Sequence, residues 1–346
     1  MSNLTERQKL ILALVVRDHI DTTQPVGSAR LVKYYNLDIS SATIRNDMMA
    51  LTEMGYLRQP HTSAGRVPTE EGYRYFVRQL MGQTELPIET RQTIAHQFYQ
   101  IGHNVDRWMR LAASVLAHHA QAASLVTAPH SEQARFKHLE LINTRGRHVL
   151  MVLVMEGGEI RQQMLSLAEP VSQERLSAAA DQLNRLCDGL DPDGILSLKS
   201  QLEELEQDVL KLVVEDMRRS QQILAGEVYR DGLANVLSEP EFADVETARK
   251  ALRILEERSL LEDLLARTVM TSTVGGVQVL IGGEGTWEEL RDCSFVLARY
   301  GAPGLATGTL GVLGPIRMAY GQSISTVRYV AGLLSDLVVD LHADAQ

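Results

Sequence analysis

The stretch from residue 40 to residue 66 constrains the fold most, because an amphipathic helix is followed at once by a short hairpin that contains glycine. Ile44, Met48 and Leu51 recur at spacings of four and three residues, which places them on one face of a helix. Ser40 or Ser41 can cap the helix N-terminus with its hydroxyl. The pattern predicts a capped helix with one buried stripe and polar residues on its other faces.

Polar side chains occupy the first turns of this helix outside the buried stripe. They are Ser41, Thr43, Arg45 and Asn46. Hydroxyl, guanidinium and amide groups near a helix N-terminus suit contacts with base edges in a DNA major groove. We expect Arg45 to bind guanine with two hydrogen bonds, Asn46 to bind adenine or a phosphate, and the two hydroxyls to bind phosphates or a base edge. In the alternative, Arg45 forms a surface ion pair with Asp47 or Glu53.

A basic hairpin is predicted directly after the helix. Residues 56–59 have the composition of a strand, residues 61–65 form a tip, and residues 66–67 begin the returning strand. The side chains expected to hold phosphates or an adjacent minor groove are His61, Thr62, Ser63 and Arg66. Gly65 would let the backbone approach the DNA closely. A helix followed by such a hairpin is the recognition half of a winged helix-turn-helix.

The flanking segments complete this unit. Thr5 and Gln8 form a capping box for a first helix, and Ser28 is expected to cap a short second helix. Pro68 and Thr69 begin a further helix after the hairpin. Three helices and then a hairpin is the order of a winged helix, so residues 1–82 are predicted to be a DNA-binding domain.

Charge supports this assignment only weakly. The net charge of the chain is −10, which argues against a nucleic-acid partner. Residues 1–80, however, contain ten Lys/Arg and eight Asp/Glu, a balance of +2, whereas the remaining 24 basic and 36 acidic residues give −12. The asymmetry favours DNA binding at the N-terminal end.

Composition is that of a globular protein, with 45% hydrophobic and 23% charged residues. No apolar run approaches the roughly 20 residues that span a bilayer, and no secretion signal is evident. Two cysteines, Cys187 and Cys293, are too few for a disulfide framework or a cysteine zinc site. A cytoplasmic protein without membrane contact is expected.

A long helix with a heptad seam is predicted after the linker at residues 83–89. Its apolar residues alternate at spacings of four and three: Ile94, Phe98, Ile101, Val105, Trp108, Ala112 and Val115. Two interpretations remain open, namely packing within its own domain and contact with a second copy of the chain.

Strand and helix patterns alternate through the rest of the chain. Strands are predicted at 136–143, 148–155, 160–167, 278–281, 294–300 and 310–313, and helices at 173–189 and 324–341. This order favours one discontinuous α+β domain with an antiparallel sheet, built from residues 90–197 and 272–346.

The segment between these parts, residues 198–271, is almost purely helical, and this shift of composition within a sheet domain predicts an inserted domain whose apolar seam could contact a second copy of the chain. Its first helix carries a leucine seam at spacings of four and three: Leu198, Leu202, Leu205, Val209 and Leu212. A second helix carries apolar residues from Ala248 to Leu265. In the alternative, both helices pack only on their own chain.

Several features resemble enzyme motifs but give no support for catalysis. Residues 281–286 follow a strand as a phosphate loop would, yet they lack the Lys-Ser/Thr of a Walker loop, and Glu284 would repel a phosphate. His118 and His119 are neighbours on a helix and point in different directions, so no shared metal is expected. We expect no enzyme activity, no cofactor and no metal. Arg317 could form a structural ion pair or bind a ligand.

Several ordered motifs resemble those of the HrcA family of bacterial heat-shock repressors. They are PVGS at 25–28, SSATIRNDM at 40–48, PHTSAGRVPT at 60–69, GYRYFV at 72–77 and GPIRMAY at 314–320. The motifs span nearly the full chain in the family's order.

This resemblance implies a GAF-like fold for the α+β domain and dimerisation through the insertion. It also implies a homodimer that represses chaperone operons at an inverted-repeat operator in double-stranded DNA, loses activity under heat stress, and is kept active by the chaperonin GroEL. A regulator whose sheet domain senses a small molecule is the competing interpretation.

Overall fold

The computed structural model describes residues 4–62, 64–82, 84–102, 104–130, 134–156, 160–220, 227–268, 273–282 and 287–343. Thirteen helices within these ranges are α1 (Glu6–Thr22), α2 (Ser28–Tyr35), α3 (Ser41–Glu53), α4 (Glu70–Tyr75), α5 (Ile88–Ile101), α6 (Val105–Ala120), α7 (Gln173–Cys187), α8 (Pro192–Ser197), α9 (Glu204–Ser220), α10 (Leu233–Leu237), α11 (Val245–Glu256), α12 (Arg258–Thr268) and α13 (Tyr320–Ala343). Ten strands within them are β1 (Leu57–Arg58), β2 (Val67–Pro68), β3 (Ala123–Thr127), β4 (Phe136–Arg145), β5 (His148–Met155), β6 (Ile160–Ser166), β7 (Val228–Asp231), β8 (Val277–Ile281), β9 (Cys293–Ala302) and β10 (Ala306–Pro315). The protein is therefore of the α+β class.

The first 80 residues have the predicted order of elements, with three helices before the hairpin and α4 after it. Thr5 and Gln8 form the expected capping box at α1. The expectation for Ser28 is wrong, because α2 already begins at Ser28, and Gly27 occupies the cap position without a side-chain bond. The core joins all three helices through fully buried side chains, among them Ile11, Leu31 and Ile44.

The predicted long helix is two helices. Gly102 ends α5 with a φ of 67°, a backbone conformation that glycine adopts without strain. Asn104 then caps α6 by accepting a hydrogen bond from the Arg107 amide at 2.9 Å. The heptad spacing therefore continues across an interruption, and Trp108 on α6 donates its indole N–H to the Gly102 carbonyl at 2.6 Å.

The predicted strands are all present, but they form two sheets in place of one. Strands β4, β5 and β6 make an antiparallel three-stranded sheet. A separate five-stranded sheet has the order β7-β3-β10-β9-β8. Two of its strands, β3 and β7, were not predicted, because both are short and lie beside helices.

The chain divides into two compact units, which do not follow the predicted domain limits. The first comprises residues 1–127, 228–300 and 309–334 and holds the five-stranded sheet. The second comprises residues 128–227, 301–308 and 335–346 and holds the three-stranded sheet with α7, α8 and α9. Residues 198–271, predicted as one insertion, are thus shared between the two units.

In the second unit, one face of the sheet is covered and the other is exposed. Leu176, Ala179 and Leu183 of α7 pack on the covered face, beside buried side chains of β4 and β5. The exposed face is described with the candidate interface below. None of the described helices is both long enough and apolar enough to cross a membrane.

Candidate nucleic-acid interface

Helix α3 is organised as the sequence predicts. The Ser40 hydroxyl caps it by accepting a hydrogen bond from the Thr43 amide at 3.1 Å. Ile44 and Leu51 are completely buried, and Met48 is 3% exposed. Because this stripe faces the core, the opposite side of α3 is left for solvent.

The four polar candidates on α3 differ in exposure. Ser41, Arg45 and Asn46 are exposed, whereas Thr43 is half-buried and shares a 2.9 Å hydrogen bond with Ser40. Exposed Met49 extends the same ridge. The structure thus brings the guanidinium, the amide and one hydroxyl to one outward surface.

The alternative partners of Arg45 are not engaged with it. Asp47 is 8% exposed and is bound by Arg7 of α1, with Nε–Oδ2 at 2.6 Å and Nη2–Oδ1 at 3.2 Å. This pair raises the pKa of Arg7 above its ordinary value. Neither Asp47 nor Glu53 pairs with Arg45 among the described residues, so the Arg45 side chain is available for a ligand.

The hairpin is held by its own side chains. Strands β1 and β2 pair Leu57 with Pro68 and Arg58 with Val67. The Gln59 amide donates hydrogen bonds to the carbonyls of Thr62 and Ala64, at 2.9 and 3.0 Å, which ties the tip to the first strand. Sequence reasoning missed Gln59, which carries no motif signal of its own.

A backbone bridge joins the hairpin to the turn between α1 and α2. Val26 and Arg66 exchange two N–H···O hydrogen bonds of 2.8 Å. A Cβ on Gly65 would lie 2.3 Å from the Val26 carbonyl oxygen. The close approach that requires glycine at this position is therefore made within the protein, whereas the sequence had suggested an approach to DNA.

The predicted hairpin contacts occupy different environments. His61 and Thr62 are exposed at the tip, and Ser63 lies outside the described residues. Arg66 is half-buried and donates from Nε to the Thr52 hydroxyl at 3.1 Å. Its other guanidinium nitrogens have no bond among the described residues.

A concavity of about 400 Å³ lies between α3, the N-terminus of α2 and the hairpin. Its lining includes Ser28, Arg45, Gln59, Thr62 and Arg66. The surface therefore combines two arginines with hydroxyl and amide groups, a set of donors suited to an anionic partner with polar edges.

The predicted dimerisation residues lie in the second unit and face its own core to different degrees. Leu202 and Val209 are buried. The other three, Leu198, Leu205 and Leu212, are partly buried and pack against the same core.

The exposed face of the three-stranded sheet carries large apolar side chains that face solvent. Pairing across the three strands places Ile142, Leu150 and Met164 in one row. It places Val154 beside Ile160 in a second row. Ile142, Ile160 and Met164 are 43%, 57% and 56% exposed.

The sequence analysis also singled out Arg317, Glu284 and the pair of His118 and His119. Arg317 forms ion pairs with Glu239 and Glu241. Glu284 of the rejected phosphate loop lies outside the described residues. The rings of His118 and His119 meet edge to face, with centroids 5.0 Å apart. Within the described ranges, no three His, Cys, Asp or Glu side chains are grouped as metal ligands.

Comparison with known proteins identifies relatives along the whole chain. A family model described as the HrcA protein C-terminal domain matches residues 106–324. Heat-inducible transcription repressor HrcA of Roseiflexus castenholzii is 45% identical over 99% of this chain and 96% of its own length. The protein of that name from Herpetosiphon aurantiacus is 42% identical, over 99% and 97% of the two lengths.

One solved structure is similar in fold. It is a crystal structure of a hypothetical protein at 2.2 Å resolution, with a TM-score of 0.61 and 22% identity, covering 98% of this chain and 100% of that one. At this identity the likeness concerns the fold alone.

Proposed function

The chain belongs to the HrcA family of heat-inducible transcription repressors, and from that premise we propose that it represses chaperone genes by binding an inverted-repeat operator as a dimer. In this proposal residues 1–82 act as a winged helix in the cytoplasm and release the operator under heat stress. No catalytic step is part of the function.

The observation that carries the proposal is the free polar ridge of α3 beside an anchored hairpin. Arg45 and Asn46 are exposed, and Arg45 has no ion-pair partner among the described residues. In the proposed complex Arg45 binds guanine in the major groove, Asn46 binds adenine or a phosphate, and Ser41 and Thr43 bind phosphates or a base edge.

The hairpin would position the helix on the duplex. His61, Thr62, Ser63 and Arg66 would contact phosphates or the adjacent minor groove, and these contacts would add affinity without reading sequence. The bridge between Val26 and Arg66 supports this role, because it keeps the hairpin at a defined distance from the helices.

A two-fold operator requires a two-fold dimer, and we place its contact in the second unit. The leucine seam of Leu198, Leu202, Leu205, Val209 and Leu212 is one candidate surface. The exposed sheet face is favoured, because Ile142, Ile160 and Met164 leave large apolar area in water, which is typical of an interaction site. If the exposed sheet faces of two copies pack against each other, the apolar patch of each copy is covered.

A DNA-protection assay tests the proposed function. Promoter fragments with inverted repeats upstream of chaperone operons are incubated with the protein at low and high temperature. We expect two symmetric protected half-sites at low temperature and loss of protection on heating. Equal protection of fragments without the repeat would contradict sequence-specific repression.

The family resemblance further leads us to propose GroEL as a partner that keeps the repressor active. Addition of GroEL to heat-treated protein should then increase the fraction that binds the operator. An unchanged fraction would remove GroEL from the proposal.

An effector-responsive regulator is a second candidate, favoured by a cavity of about 620 Å³ in the first unit. Its lining includes His19, Arg58 and Tyr73 from the N-terminal residues and Arg291 from the body of the unit. A ligand that raises the melting temperature and changes operator affinity would support this function.

A further inference from the structure

Arg7 and Asp47 join the first turn of α1 to the middle of α3, although 40 residues separate them. Both hydrogen bonds of the pair use different guanidinium nitrogens and different carboxylate oxygens, at 2.6 and 3.2 Å. This bidentate geometry fixes the relative orientation of the two groups as well as their distance.

The two partners differ in their access to water. The Asp47 side chain is 8% exposed, whereas Arg7 is 52% exposed. A carboxylate that is removed from water is costly unless a cation and hydrogen bonds compensate it. Arg7 is the one ion-pair partner that the described residues give Asp47, so the conformation of α3 at this point depends on α1.

In the sequence, the buried Asp47 directly follows Arg45 and Asn46, which lie on the exposed side of α3. A rotation of α3 that brings Asp47 toward water would turn Arg45 and Asn46 through the same angle, since successive residues on one helix are held about 100° apart. Arg45 and Asn46 would then leave the positions at which they face the groove. Base reading tolerates such displacement poorly, because each bidentate base contact requires defined geometry.

A second pair on α1 has the same chemistry without this connection. Arg30 of α2 binds Asp18 of α1 through two hydrogen bonds of 2.7 and 2.9 Å, and Asp18 is 2% exposed. Here the buried carboxylate belongs to α1, so loss of the ion pair leaves no unpaired carboxylate on α3. The two pairs therefore provide a matched comparison.

We propose that Arg7 is a positioning residue for DNA recognition, which acts by holding Asp47 and so fixes the rotation of α3. This inference rests on the proposed function. It gives Arg7, which lies outside the exposed polar side of α3, a role in specificity. It requires no contact between Arg7 and the DNA.

A double-mutant cycle on the full-length protein tests the proposal with R7A, D47N and the double variant. Binding to operator DNA and to unrelated DNA is measured well below the melting temperature of each variant. We expect R7A to weaken operator binding about tenfold or more, the equivalent of at least 1.4 kcal/mol, while binding to unrelated DNA changes less than about threefold. In the D47N background, R7A should cause no further loss.

Other outcomes overturn the proposal. An equal loss for both DNAs in both backgrounds, with a salt slope lower by about one, would show that Arg7 binds a phosphate directly. A lower melting temperature for R7A with unchanged operator affinity would show a merely structural role. R30A serves as the control and should lower the melting temperature without changing the ratio of operator to unrelated binding.

Amide hydrogen exchange separates this inference from the proposed function, because it needs no DNA. R7A should increase exchange in α3 relative to α2, and R30A should not show this selectivity. Unchanged exchange in α3 overturns the positioning role even if the parent binds its operator. Faster exchange in α3, with a parent that binds no DNA, contradicts the proposed function and leaves the mechanical coupling established.

Discussion

Helices α3 and α9 have closely similar sequence patterns but use their surfaces differently. Each has an apolar stripe at spacings of four and three, and each buries one carboxylate against an arginine of another helix. In α3 that carboxylate is Asp47, and in α9 it is Glu206, which Arg175 of α7 binds at 2.5 and 3.0 Å. The comparison shows that periodicity identifies the apolar face of a helix but not what covers it.

The difference lies in what each helix leaves exposed. The exposed side of α3 carries Arg45 and Asn46. Of the predicted leucine seam, only Leu205, Val209 and Leu212 lie on α9, and they pack on their own unit, whereas Leu198 and Leu202 precede this helix. A leucine seam is equally stabilising against a neighbouring helix of the same chain. The distinction requires knowledge of the neighbours, and α7 supplies them for α9.

The prediction with the largest expected effect tests which surface forms the dimer contact, the leucine seam or the exposed sheet face. Met164→Asp puts a charge on the exposed face, where a second copy would bury it without a partner. We expect the dimer to weaken by about a hundredfold or more. Analytical ultracentrifugation across a concentration series measures the change.

Leu205→Asp is the matched substitution on α9. It should lower the melting temperature, because Leu205 packs against the core of its unit, while the dimer remains intact. The reverse result, a monomeric L205D beside a dimeric M164D, would return the interface to the predicted seam.

The next effect concerns the exposed side of α3. Arg45→Ala should weaken operator binding by about 1–3 kcal/mol and relax specificity at one base pair, without a change in folding. Arg17→Ala removes an exposed arginine of α1 and is the control for net charge. Superimposable binding isotherms for R45A and the parent would exclude Arg45 as a reader of DNA.

The local parts of the fold could be predicted from the sequence. The Ser40 cap, the stripe from Ile44 to Leu51 and the capping box of Thr5 depend on residues a few positions apart. The strands β4, β5 and β6 also follow from alternation and from glycine turns. Each of these features is specified by short-range physical chemistry.

The remaining features depend on contacts between distant segments. Nothing near Gly65 in the sequence indicates that Val26 approaches it, and nothing near Asp47 indicates Arg7. The second sheet has the same origin, because β3 pairs with β7 and β10 across long connections, and such pairing leaves no local pattern. The sequence therefore predicts which polar residues of α3 face solvent, among them Arg45 and Asn46, but not the residues that support them.

A pH experiment sharpens the comparison at the buried carboxylate of α9. Hydrogen bonds from Arg175 hold the pKa of Glu206 below its ordinary value, with burial acting in the opposite direction. The unfolded chain therefore binds the proton more readily, so this stabilisation is present above the ordinary glutamate pKa of about 4.3 and is lost as the pH falls through the lowered pKa.

Glu206→Gln should accordingly cost about 1–2 kcal/mol at pH 7, a value reduced because Arg175 is partly exposed. The difference from the parent should shrink as the pH falls below 4. Glu203→Gln is the control, because Glu203 binds the same arginine at 2.9 Å but is 81% exposed. A pH-independent difference in thermal unfolding would assign the loss to packing.

The smallest expected effect separates a role in stability from a role in DNA binding at two adjacent serines, Ser40 at the cap position and Ser41 at the first position of α3. Ser40→Ala removes the cap acceptor and should lower the free energy of unfolding by about 1 kcal/mol, whereas Ser41→Ala leaves the cap in place. If Ser41 contacts DNA, its substitution weakens operator binding at unchanged stability. Thermal unfolding and operator binding measured on both variants distinguish the two roles. Equal behaviour of the two variants in both assays would contradict the assignment of Ser40 to stability and Ser41 to DNA binding.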